Sequence, residues 1–334
     1  MESNQGKRRI SARLLAAAML VAIALVPVLV AQPFVITLLI FVGVYVIVCT
    51  GLSLIFGYAG QLSLTQAAFY GIGAYASAIL TTRYGFSFLG GLAVACLLPG
   101  VTAWALGAPI LRLRHFYLAM ATLAFSEIMA VLFIQEVDIT GGPTGITHVP
   151  SPSILGFMID TPTKFYYLVW ILCSGVVAFS YNIIRSRYGR SLRAIAENEV
   201  AASAMGVNVP ALMSLMFVLS AVFAGLGGAL YAHFVTFVSP DTFSVALSIM
   251  LVIMVAIGGV NSLWGAVLGA VFITVLPSML GAYRQYAMLV YGIVLVLMLM
   301  FMPNGIAGAL EDLVRWIGDR RSDASDRRRS ASAE

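Results

Sequence analysis

The sequence predicts an all-α fold, a polytopic membrane bundle of about ten helices with both termini cytoplasmic. Three observations lead there. Of the 334 residues, 61% are hydrophobic and only 10% are charged, whereas a soluble globular domain carries about 25% charged residues. Mean hydropathy is accordingly high, at +0.98. Apolar runs recur at the length needed to cross hydrocarbon, about 20 residues of helix. The basic residues also fall almost entirely on one side of the predicted helices.

The elements follow in chain order. Lys7, Arg8, Arg9 and Arg13 precede an apolar run from Leu14 to Val30. That run is longer than a secretory h-region and no clean A-x-A site follows it, so it reads as an uncleaved first helix behind a cytoplasmic tail at 1–13. Further crossings are expected at 34–56, 61–81, 88–111, 115–135, 164–184, 211–233, 245–258, 262–281 and 285–302. The positive-inside rule tests this arrangement. Sixteen of the 19 basic residues fall on one side; only Arg83, Lys164 and Arg284 fall on the other. An odd number of helices before Arg185 would scatter the arginines over both faces. The crowded face is therefore the cytoplasmic one. The net charge of +5 then marks orientation in a lipid bilayer, and no nucleic-acid partner is implied. The segment 311–334 closes the chain as a charged cytoplasmic tail, and its "DRRSDASDRRRSASAE" composition from Asp319 on is that of a disordered segment.

Several polar features interrupt this apolar background. "GYAGQLSLTQAAFYGIGAYASAIL" at Gly57–Leu80 carries Gln61, Ser63, Thr65 and Gln66 among four glycines. Non-helical backbone survives at membrane depth only where protein or a water-filled cavity satisfies it. Gly57 and Gly60 permit a break, and Gln61, Ser63 and Gln66 offer polar groups beside it. Two readings fit: a wall or gate of a translocation pathway, or a seam of small and amide residues between helices. "SAVFAGLGGAL" at Ser220–Leu230 loosely echoes "SLIFGYAGQL" at Ser53–Leu62, as an internal repeat would. Glu127 is the one carboxylate deep in a predicted crossing. A charge at mid-bilayer costs about 2.5–3.5 kcal/mol on insertion scales. It is therefore expected to face the bundle interior, either on the pathway or as a hydrogen-bonded strut. The far-side loop at 136–163, with "TGGPTGI" at Thr140–Ile146, is either a solvated connection or a docking surface.

No catalytic constellation is present: no P-loop, no H-E-x-x-H and no G-x-S-x-G. The three histidines and three cysteines lie far apart, without metal-ligand spacing. Neither a catalytic site, a metal nor a cofactor is expected, and ATP hydrolysis would need another chain.

The longest cytoplasmic connection is "RSRYGRSLRAIAENEVAASAMGVNV" at 185–209. Ser191 and Asn198 are N-cap candidates, and Gly206 followed by Pro210 is a stop signal. One or two short helices are expected there, with Arg193 and Glu197 on one face at i, i+4 spacing. This segment resembles the coupling loop of ABC importer permeases, whose pattern is Glu-Ala-Ala, three residues, then Gly. Here Ala201 and Ala202 stand three residues before Gly206, and Glu199 sits one place early, so either Glu197 or Glu199 takes the acid's docking role. With "GYAGQLSLTQAAFYGIGAY", "RHFYLAMATLAFSEI" at Arg114–Ile128, "TGGPTGI", "GGVNSLWGAVLGA" and "PNGIAG" at Pro303–Gly308, the chain resembles branched-chain amino acid permeases of the LivM type over nearly all of 34–310.

The resemblance implies a permease domain at 14–310 in the bacterial inner (cytoplasmic) membrane. It implies a second homologous permease subunit, two cytoplasmic ATP-binding subunits and a periplasmic or extracellular amino-acid-binding protein. Arg193, Glu197, Glu199, Ala201, Ala202 and Gly206 would then couple to the ATPase. Urea, amide and sugar permeases share this architecture. An ion-coupled secondary transporter is the rival from another class, but it would need a richer set of ionisable groups at the midplane than one glutamate.

Overall fold

The computed structural model describes residues 32–111, 113, 116–154, 156–260 and 262–280, with 305–309 and a few isolated residues besides. The crossings expected at 14–30 and 285–302, the tails at 1–13 and 311–334, and so the side on which the termini lie, fall outside the described residues.

Eleven helices account for most of the described chain: α1 (Pro33–Phe56), α2 (Gln66–Arg83), α3 (Phe88–Ile110), α4 (Phe116–Gln135), α5 (Val137–Thr140), α6 (Pro162–Arg185), α7 (Arg187–Glu197), α8 (Glu199–Ala204), α9 (Val209–Val235), α10 (Val245–Gly258) and α11 (Leu263–Leu280). Local chemistry sets many of their ends. Pro33, Pro162 and Pro210 stand in first turns, where the missing N–H costs nothing. Ser87 and Thr161 cap α3 and α6 through their side-chain oxygens. Among the described residues, five helices are long and apolar enough to cross a membrane, and the α10–α11 pair, bent by 119° at its break, makes up to six if counted as one span. This fits an all-α membrane bundle.

The bundle is built around α2 and α9, with α1 and α3 packed against them. Almost all of α2 is buried by protein. That explains its composition: a helix shielded from lipid tolerates glutamine, serine and threonine. Close approach is made possible by small residues. A Cβ on Gly73 would overlap the Gly225 backbone, and one on Gly228 would overlap the Tyr70 carbonyl. By contrast, only 22% of the α4 span is buried, against 67% of α1.

The two ends of the bundle differ. One carries the arginine-bearing α7, followed by α8. The other carries the 136–161 loop, whose described residues dock on the bundle. Its β1 (Ile146–Thr147) pairs antiparallel with β4 (Phe237–Val238) just beyond α9, and β2 (Ser153–Ile154) pairs with β3 (Phe157–Met158) as a hairpin. Buried His233, on α9, ties this end together: Nε2 meets Ser77 Oγ at 2.8 Å and Nδ1 meets the Pro150 carbonyl at 2.9 Å.

Candidate functional site

The expected helix at 61–81 begins at Gln66, because residues 57–65 belong to no helix. α1 ends where the Gly57 and Tyr58 N–H groups both donate to Ser53 O. A Cβ at Gly57 would overlap the Val260 carbonyl in the α10–α11 turn. Gly60 then takes φ +69°, a left-handed conformation that glycine adopts without penalty. Residues 61–65 run back into the bundle as irregular chain, with Ser63 and Thr65 buried.

A non-helical backbone among apolar helices has lost its intrahelical partners, and each unpaired buried group is costly. Hydroxyls on α4 and α10 supply replacements, and one on α9 holds the Gln66 side chain. Leu64 N–H donates to Thr122 Oγ1 at 3.1 Å, and Ser126 Oγ donates to the Leu64 carbonyl at 2.6 Å. Thr122 and Ser126 lie one turn apart on the packed face of α4. The Thr122 hydroxyl donates to Ala119 O at 2.9 Å, which leaves its lone pairs free to accept from Leu64. Ala67 N–H, an orphan of the first turn of α2, donates to Ser248 Oγ of α10 at 3.0 Å. Gln66 Nε2 donates to Ser220 Oγ of α9 at 2.7 Å. Thr122, Ser126, Ser220 and Ser248 are all fully buried. Sequence reading had assigned none of them. Their only local signal is a hydroxyl on an apolar helix face.

The six residues considered for a pathway therefore part company. Gly57, Ser63 and Gln66 are buried inside the protein wall, where Ser63 Oγ pairs with Thr65 Oγ1 at 2.9 Å. Gln61 is half-buried and Gly60 exposed, both toward the end that bears α7. Glu127 departs from the expectation of an interior carboxylate: it is exposed on the outside of α4. Helix geometry gives the reason. Leu118, Thr122, Ser126 and Phe133 form the narrow buried stripe of α4. Glu127 is about 100° around the helix from Ser126, beside Ile128, itself 58% exposed.

The 185–209 segment folds as two short helices, α7 and α8. Ser186, not Ser191, caps α7, its Oγ accepting from Tyr188 N–H at 3.1 Å; Ser191 lies inside the helix. Asn198 caps α8 by accepting from Ala201 N–H at 3.0 Å, and Gly206 ends it with φ +85°. Leu192, Ile195 and Ala202 are buried against the bundle. Arg193, Glu197 and Ala201 are exposed, Glu199 is half-buried, and Val200 and Met205 project as exposed apolar side chains. Of the paired alanines, then, only Ala201 presents a surface to a partner. A Cβ on Gly60 would lie 3.6 Å from Ala196, so the exposed turn of the broken segment abuts α7.

A bundle of this kind, with an inner helix broken and resealed by its neighbours and a two-helix knob at its arginine-rich end, has the build of a membrane transport subunit. The family model for the branched-chain amino acid transport system permease component matches residues 34–299, and the chain belongs to that family. It is 34% identical to the high-affinity branched-chain amino acid transport permease LivM of Salmonella typhimurium, over 79% of this chain and 67% of that protein. The LivM protein of Escherichia coli K12 matches with the same identity and coverage. LivH of Escherichia coli K12 is 27% identical, over 80% of this chain and 92% of its own length. The chain is thus a permease of the LivM type. No solved structure matches it.

Proposed function

We propose that this chain is one of two permease subunits of an ATP-driven importer for branched-chain amino acids, coupled through α7 and α8 to a cytoplasmic ATPase. The observation that carries the reading is the construction of that knob. Its inner face is anchored by Leu192, Ile195 and Ala202, while Val200, Ala201 and Met205 are left outward beside Arg193 and Glu197. An apolar tip on a braced base suits a cleft in a partner. The arginine-rich end is the cytoplasmic one by the positive-inside rule, which puts the knob where an ATPase would be.

The exposed face of α4 fits the second half of the assembly. A carboxylate facing lipid at mid-span is disfavoured by about 2.5–3.5 kcal/mol. A homologous permease subunit packed against α4, with a watered pathway between the two, removes that cost and places Glu127 on the route. Gly60 and Gln61 open at the cytoplasmic end of the same region. A binding protein at the opposite face would deliver leucine, isoleucine or valine. Urea, amide and sugar carriage differ from this only in the substrate delivered, and uptake assays with each solute separate them.

The test is Ala201→Trp. It is expected to abolish co-purification of the ATPase subunit and ATP-dependent leucine uptake, with normal membrane abundance of the permease. Survival of both, or uptake driven by an ion gradient without ATP, would overturn the coupling assignment.

A further inference from the structure

We infer that residues 57–66 are a mechanical link between the ATPase-facing α7 and the pathway-facing α4, with Thr122 and Ser126 as its positioning residues. This rests on the function proposed above and names the parts that would carry the motion.

The link is continuous. At one end Gly60 abuts Ala196 of α7. Four residues on, Leu64 is held by both of its backbone groups to α4. The residues between them belong to no helix or strand and pass from exposed Gly60 through half-buried Gln61 to buried Ser63. The far end is fixed to α9 and α10 through Gln66 and Ala67. A helix would resist deformation along this path, because its bonds close within itself. Irregular chain bonded to rotatable hydroxyls, behind a glycine with positive φ, is the kind of segment that absorbs a φ/ψ change.

α4 is also the helix best placed to respond. Few of its residues are buried, and two of its four buried side chains are Thr122 and Ser126. The polar ties to Leu64 thus act beside the Phe125 ring, which packs on Phe69, in holding α4 to the bundle at this depth. Glu127 directly follows Ser126, so displacement of Leu64 must move the helix turn that carries the carboxylate. Mere satisfaction of a broken backbone needs the hydroxyls too, but it gives no reason for the segment to touch α7.

The experiment uses the assembled transporter, with its ATPase subunits, partner permease and binding protein, in proteoliposomes. Wild-type ATP-dependent leucine uptake is the control, and its absence would sink the proposed function rather than the link. The Thr122→Val, Ser126→Ala double variant is expected to assemble and hydrolyse ATP while leucine carried per ATP falls at least tenfold. Thr122→Ser, which keeps the hydroxyl, is expected to retain wild-type uptake per ATP. An assembled double variant with unchanged uptake per ATP overturns the link. Should the double variant fail to assemble, hydrogen exchange on the wild-type complex decides. Amides of 58–67 are expected to change protection between nucleotide-free and ATP-bound states, in step with α4. Identical protection in the two states overturns the inference.

Discussion

Two glycine-rich stretches that look alike in sequence do opposite things in this protein. "SLIFGYAGQL" at Ser53–Leu62 ends one helix and breaks the chain, whereas "SAVFAGLGGAL" at Ser220–Leu230 lies wholly inside the unbroken α9. The resemblance between them is therefore not a repeated break. In α9 the glycines keep ordinary helical φ and serve as bare surface: Gly225 presses on the Ala95 carbonyl and Gly228 on the Tyr70 carbonyl. In the first stretch Gly60 takes a positive φ, and the backbone beyond it bonds to hydroxyls far off in sequence. The glycines permit both outcomes. The supply of distant hydrogen-bond partners decides between them, since non-helical chain is tolerated in a membrane protein only where something satisfies it.

The largest expected effect lies in the seam between α9 and α2. Gly228→Ala puts a methyl group into the Tyr70 carbonyl, with the Ala74 nitrogen only 2.9 Å from it. Both obstacles are backbone, so α9 must move away from α2. Overpacking of this kind costs about 1–3 kcal/mol and occasionally more, and here it strikes the central helix pair. The expected outcome is a clear drop in thermal stability in detergent and in membrane abundance. Wild-type stability in Gly228→Ala would mean that α9 and α2 are not in close contact, and the contrast drawn above would fail.

The break should respond less, and through the backbone alone. At Gly60 the nearest atoms to an added Cβ are Ala196 Cα and Cβ, both at 3.6 Å, which is ordinary contact. The cost of Gly60→Ala is then that of a left-handed residue, about 1–2 kcal/mol. Gly60→Asn should recover part of it, because asparagine tolerates that conformation better. Thermal melts of the two variants side by side check this. Equal losses for Ala and Asn would point to crowding, not φ, as the constraint at the break.

Much of this was legible in the sequence. Apolar periods and turn signals placed seven helices within about two residues of α1, α3, α4, α6, α9, α10 and α11, although α10 and α11, expected as two crossings, make at most one broken span. Gly57 and Gly60 located the break, and Asn198 and Gly206 bounded α8. Partnership was the illegible part. Nothing near Gln66 names Ser220, which lies 154 residues away, and nothing near Leu64 names Thr122. Glu127 failed for a related reason. Its burial was inferred from cost in a bilayer, but the cost constrains the whole assembly and not this chain alone. Ala202, named with Ala201 in the coupling set, is buried against the bundle, because the sequence of a single short helix does not say which side its bundle lies on.

A third kind of glycine sharpens the comparison from its weakest side. Gly175 sits in α6, is exposed, and has no atom within 4 Å of the position its Cβ would take. It neither breaks a helix nor seats one against another. Replacing it with alanine removes only the conformational freedom that glycine loses on folding, worth roughly 0.5–1 kcal/mol in a helix interior. Gly175→Ala is therefore expected to leave transport unchanged and to raise thermal stability slightly. A loss of stability would instead show that this face of α6 is closely covered in the assembled transporter. Repeating the melt on the isolated permease and on the full complex tells these apart: the gain should hold in the first, and it would reverse in the second only if a partner helix seats on Gly175 as α2 seats on Gly228.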